Sequence, residues 1–272
     1  MKRLCLMLLA SICVGVIGMA TLTATAQPKK TVKIKPLNTK KWEKYDVGSI
    51  RFHDKATHTE GSQIYNRLIP KPDEYISSCA REVLATLYFS PKDSIMPVKS
   101  IYYTLEDKEG VSAKGGGRGR VHIFYSTRHI ESSYRGKGDD KVMFETRGVL
   151  LHELTHAYQL EPQGIGSYGT NRTFWAFIEG MADAVRVANG GFYGEKDRPK
   201  GGHYMNGYRH AGYFFVWIRD NYDADFLRKF NQSTLHIVPW SFDGAIKSIL
   251  GEEHDIESLW HEYQVAVGDI KE

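Results

Sequence analysis

The sequence predicts an α+β fold, a small mixed β-sheet followed by a mostly helical C-terminal part. Two observations carry that expectation. Runs of β-branched and aromatic residues lie in the first half of the chain, whereas apolar residues at helical spacing dominate from residue 140 onward. No regular strand–helix–strand alternation and no internal repeat is visible, which separates this pattern from doubly wound and solenoid folds. The chain has 272 residues, 42% of them apolar and 25% charged, enough to bury a core without disulfide support.

Residues 1–26 open with Met1-Lys2-Arg3, run apolar from Leu4 to Ala20 and close on Ala24-Thr25-Ala26, the pattern of a secretory signal peptide cut before Gln27. The apolar run is short for a membrane span, so no stable membrane insertion is expected after removal, and the mature chain is expected to be periplasmic or secreted. Formal charge is +4 overall and +2 once Lys2 and Arg3 are gone, which gives no case for nucleic-acid binding. Cys5 and Cys13 leave with the signal. Cys79 remains alone within the amphipathic stretch Tyr75 to Leu84 and reads as a buried core thiol rather than a nucleophile.

Residues 27–44 are rich in Lys and read as a solvated leader, with a short strand expected at Thr31 to Ile34. Residues 45–272 form the expected folded domain. Apolar spacing predicts a helix from Asp73 to Tyr88, and Ser100 to Leu105 and Val121 to Tyr125 read as strands. Between those strands Gly115-Gly116-Gly117-Arg118-Gly119 reads as a flexible turn; no Gly-Lys-Ser/Thr follows, so it is not a phosphate loop. Helices are expected at Asp140 to Gln159, Arg172 to Ala188, Tyr208 to Asp220, Asp223 to Asn231, Phe242 to Leu250 and Ile256 to Val267.

The chemistry begins at His152-Glu153-Leu154-Thr155-His156. The i, i+4 spacing puts both imidazoles on one helix face, where they can share Zn²⁺, and Glu153 stands beside them as a general base. A third ligand is needed. The extended HExxHxxGxxH pattern fails, because Gln159 and Pro162 occupy its Gly and His positions. A Glu on the following helix is the other source, and Glu179 lies 23 residues past His156 in Ile178-Glu179-Gly180-Met181-Ala182-Asp183. Gly180 there would let the two helix backbones approach. Asp183, one turn on, is placed to accept the free N–H of a ligating His and so hold its tautomer.

The stretch Gly148 to Gln159, followed by Phe177 to Arg186, resembles the basic secretory protein family of plants and bacteria, a group of HExxH zinc metallopeptidases. The resemblance runs from about Ser77 to Tyr263. It implies a zincin-like domain of the Glu-ligand type, with His152, His156 and Glu179 as zinc ligands, Glu153 as catalytic base, and a peptide or protein substrate. Tyr158 stands where relatives often carry Trp, a matter of packing. Gly207-Tyr208 to Phe214 is similar to the family's Gly-Tyr stretch and makes Tyr208 the first candidate to stabilise an oxyanion, with His210 and His203 behind it; Arg209 replaces the acidic residue that often follows that Tyr. Val121 to Ser126 resembles the edge strand that pairs with extended substrate in such enzymes.

The other histidines show no ligand spacing among themselves, and no Gly-x-Ser-x-Gly elbow supports a serine hydrolase. The sequence therefore points to an exported zinc-dependent peptidase. Two other readings use the same fold: a non-catalytic protein recognising peptides or surface glycans, and a zinc amidase acting on cell-wall peptides.

Overall fold

The protein is described over residues 32–271 from a computed structural model. The expected signal and the start of the expected strand at Thr31 lie outside that range. Residues 32–39 have no regular structure: the alternation Val32-Lys33-Ile34-Lys35 is cut off after two apolar residues by Pro36, and Ile34 is exposed.

Four strands form one sheet: β1 (Ser49–Asp54), β2 (Ser100–Glu106), β3 (Ser112–Gly117) and β4 (Arg120–Ser126), in the order β1-β2-β4-β3. β1 and β4 run parallel to β2, while β3 pairs antiparallel to β4. The sheet is therefore mixed. Ile101, Tyr103 and Leu105 of β2 and Val121, Ile123 and Tyr125 of β4 point to one face and are buried, the period of two that a half-covered sheet requires. Helices α1 (Glu60–Leu68) and α2 (Pro72–Leu87) connect β1 to β2. Tyr65 of α1 packs on Tyr103 and Tyr125. β1 and α1 were not anticipated: β1 alternates exposed and half-buried residues, and α1 is rich in polar residues, so neither carries a strong apolar pattern.

The glycine run is a strand, not a flexible connection. Gly115, Gly116 and Gly117 pair with His122, Val121 and Arg120. The reversal is made by the next two residues, Arg118 (φ 52°) and Gly119 (φ 77°), both left-handed, as a tight two-residue hairpin turn demands. β3 is consequently an edge strand and β4 lies inside, the reverse of the placement implied by the resemblance.

Helix α3 (Thr127–Tyr158) starts directly after β4 and breaks at Lys137 and Gly138, whose backbone is not helical. The second half, residues 139–158, corresponds to the expected Asp140 helix. Next come α4 (Arg172–Ala188), α5 (Tyr208–Asn221), α6 (Phe226–Ser233), α7 (Phe242–Leu250) and α8 (Ile256–Ala266), close to the ranges read from the sequence. Asn171 caps α4, accepting the Phe174 N–H at 3.0 Å. An added Cβ at Gly180 would sit 2.6 Å from Ala211 and 2.7 Å from Phe215, so this glycine brings α4 against α5 rather than against α3. Phe214, Phe215, Phe230, Trp240, Phe242 and Trp260 fill the helical core. Cys79 is buried among α2's apolar residues, where desolvation pushes its thiol up to about 12 and leaves it inert.

Candidate active site

His152 and His156 lie one turn apart on α3, backed by buried Leu150, Leu151, Leu154 and Ala157. Glu179 and Asp183 face them from α4 and are themselves buried, at 3% and 4% exposure. Carboxylates so far from water need charge partners. His152 Nδ1 is 2.7 Å from Asp183 Oδ1, which fixes the ring proton on Nδ1 and turns the Nε2 lone pair away.

Three atoms then converge. His152 Nε2 and His156 Nε2 are 3.1 Å apart, and Glu179 Oε2 is 3.4 Å from the first and 3.6 Å from the second. Ligands at zinc's usual bond lengths in a tetrahedron stand about 3.3 Å from one another, so the spacing fits one small cation with an open position. Glu179 Oε2 is buried with no hydrogen-bond partner, while Oε1 accepts the Tyr168 hydroxyl at 2.6 Å. An orphaned carboxylate oxygen aimed at two imidazole nitrogens fits a metal site. Among the described residues His152, His156 and Glu179 are the group that can hold a metal ion.

Electrostatics agree. Burial pushes the His152 imidazolium down, but Asp183 and Glu179 outweigh it and carry its pKa up to about 10. Burial raises Glu179, yet the two imidazoles hold its carboxyl well below the usual carboxylate range. The site demands a positive charge at its centre. Gln159, which breaks the extended motif, lies with its carboxamide 2.8 Å from His156 Nδ1. The amide nitrogen lies against the ring, and Gln159 Oε1 is buried without a hydrogen-bond partner among the described residues. If His156 ligates through Nε2, the ring proton sits on Nδ1 and is donated to the Gln159 carboxamide oxygen once the amide's two ends are exchanged.

Glu153 lines the cleft beside this group, and its Oε1 accepts the Ser112 hydroxyl at 2.6 Å. The cleft encloses about 890 Å³ between the edge strand β3, which contributes Ser112, Ala113 and Lys114, and helices α3 and α4. Residues 47–263 match the sequence pattern of a family described as peptidase of plants and bacteria. The chain belongs to that family. The match begins 30 residues before Ser77, where the resemblance was read to start, and takes in β1 and α1. No curated protein and no solved structure is significantly similar to the chain.

For a member of this peptidase family, the remaining candidates sort by position. Tyr208 lies at the cleft, its ring stacked on His152 with centroids 6.0 Å apart. Its φ of 41° is left-handed, a conformation that costs a tyrosine free energy and that the following helix and Trp175 hold in place. His203 and His210 do not line the cleft. His203 faces Glu257 at 3.4 Å, and His210 packs against Gly202. Ser112 and Tyr168 were missed by sequence reasoning. Both sit in segments read as irregular, and neither has a spacing relation to the HExxH helix that could have marked it.

Proposed function

We propose that the protein is an exported zinc-dependent peptidase that hydrolyses peptide bonds with Glu153 as general base. The observation that carries this reading is the convergence of His152 Nε2, His156 Nε2 and Glu179 Oε2 within 3.6 Å, beside the Glu153 carboxylate. Zinc held there would supply a Lewis acid for the scissile carbonyl and lower the pKa of a bound water towards neutrality.

The chain's own residues do the rest. Asp183 keeps the His152 proton on Nδ1, and Tyr168 takes up the second oxygen of Glu179. Glu153, with one oxygen held by Ser112, accepts the proton of the attacking water on its other oxygen and returns it to the leaving nitrogen. Tyr208 and Tyr168 both line the cleft, Tyr168 with its hydroxyl on Glu179, and we assign stabilisation of the developing oxyanion to Tyr208. A binding protein would have no need of a base so positioned, which favours hydrolysis over mere recognition. Export rests on residues 1–26 alone. The test is elemental analysis of the purified protein followed by peptide hydrolysis with and without a chelator. One zinc per chain and chelator-sensitive, zinc-restored cleavage are expected; a metal-free protein with full activity would sink the proposal.

A further inference from the structure

The cleft is electrically lopsided along α3. Beyond Val149 stand Lys141, Glu145, Arg186, Asp197 and Arg209, whereas the opposite end carries Gln159 and Glu161. Glu145 is shared: Lys141 Nζ donates to one oxygen and Arg186 Nη2 to the other, the latter at 3.0 Å. The three side chains are largely buried, at 24%, 15% and 13% exposure for Lys141, Glu145 and Arg186. Arg186 uses Nε on the Gly191 carbonyl and lies 4.1 Å over the Phe192 ring, but its Nη1 has no hydrogen-bond partner among the described residues. His129 Nε2 is buried nearby without a partner, 3.9 Å from Glu145. Among the described residues Arg209 donates to the carbonyl of Asp197, whose carboxylate accepts the Tyr193 N–H.

Two largely buried cations, Lys141 and Arg186, thus share the one carboxylate of Glu145, while Arg209 beside them is exposed. An excess buried cation is costly unless an anion completes it. We infer that this end of the cleft seats a carboxylate of the peptide substrate, held by Arg186 Nη1 and Lys141 Nζ, and selects acidic segments for cleavage. The inference rests on the peptidase reading. Glu145 precedes His152 by seven residues, about 10 Å along the helix. At about 3.3 Å per extended residue, the carboxylate belongs about two or three positions from the scissile bond. It can come from an Asp or Glu side chain or from a chain terminus.

The test compares zinc-loaded protein on fluorogenic peptides of one length in four sets: neutral with an amidated C-terminus, the same with Glu scanned through each position, the same with Lys scanned, and neutral with a free C-terminal carboxylate. The Glu set, the free-carboxylate set, or both should exceed the neutral amides about tenfold in kcat/KM, mainly through KM, with the Lys set below them. Which set gains identifies the source. Lys141→Met should shrink the gain to about threefold or less and Lys141→Arg should keep it. Equal kcat/KM across the sets, or a preference untouched by Lys141→Met, overturns the subsite. Cleavage of none of them overturns the peptidase reading instead; anisotropy of labelled Glu and neutral peptides on the Glu153→Gln protein then still decides the subsite, since equal affinities reject it.

Discussion

Ser112 donates its hydroxyl to Glu153 Oε1 over 2.6 Å, tying the exposed edge of the sheet to the helix that carries both histidines. The bond leaves Glu153 only 4% exposed and restricts the carboxylate to one orientation towards the cleft. Glu153→Gln should keep its metal and lose turnover by about 10²–10⁴-fold. Ser112→Ala should cost about tenfold in kcat with little change in KM, and Ser112→Thr should recover most of it. Elemental analysis and steady-state kinetics on the same preparations check both. Native turnover in Glu153→Gln would remove the mechanism.

Glu179 contributes the third converging atom, and Asp183 acts through His152. Glu179→Ala should lower zinc content and activity together. Asp183→Asn should weaken zinc about 10- to 100-fold while leaving the stoichiometry recoverable at high metal. Competition against a chromophoric chelator measures both. If Glu179→Ala bound zinc as tightly as the native protein, another side chain would have to be the ligand.

The two tyrosines separate by kinetics. Tyr208→Phe should reduce kcat by about 10²-fold with KM nearly unchanged, as loss of an oxyanion donor does. Tyr168→Phe removes a hydrogen bond to Glu179 Oε1 and should act on zinc affinity first. A reversed outcome would transfer the oxyanion role to Tyr168.

Acid stability should depend on Glu145. Burial raises its pKa, but His129, Lys141 and Arg186 bring it down to about 2 from an ordinary 4.5. A depressed folded-state pKa stabilises above the unfolded value and is lost as pH falls, so this contribution is complete above about pH 4.5 and gone near pH 2. It corresponds to about 3 kcal/mol. Urea midpoints of the metal-free protein at pH 6 and pH 3 should therefore differ less in Glu145→Gln, which starts lower at pH 6. An unchanged difference would show that other groups govern the acid limb.

Gly180 should tolerate no side chain. Its Cβ would meet Ala211 and Phe215, and the overpacking of Gly180→Ala should cost about 1–3 kcal/mol in thermal or urea unfolding. A neutral substitution would mean that α5 moves away freely.

Helix positions with strong local signals were readable before any fold was known. The Arg172–Ala188 helix coincides with its expected range because Asn171 caps it and Asn189-Gly190-Gly191 stops it, both local effects. The glycine strand β3 was not readable, because its pairing with β4 and the left-handed pair Arg118-Gly119 are decided across the sheet. For the same reason the edge strand beside the cleft was expected to be β4 and is β3.

The candidate metal ligands were legible in the residues alone: the i, i+4 histidines follow from helix geometry, Glu179 from its place on the next helix and the family resemblance, and Asp183 was legible as the partner of a ligating histidine. Only the tertiary structure decided that α3 and α4 bring those atoms within 3.6 Å, that Ser112 and Tyr168 join them, and that Lys141, Glu145 and Arg186 share one end of the cleft. Spacing along a helix is fixed by backbone hydrogen bonds a few residues apart. Contacts between a strand edge, a loop and two helices depend on how a whole core packs, and no local pattern encodes that.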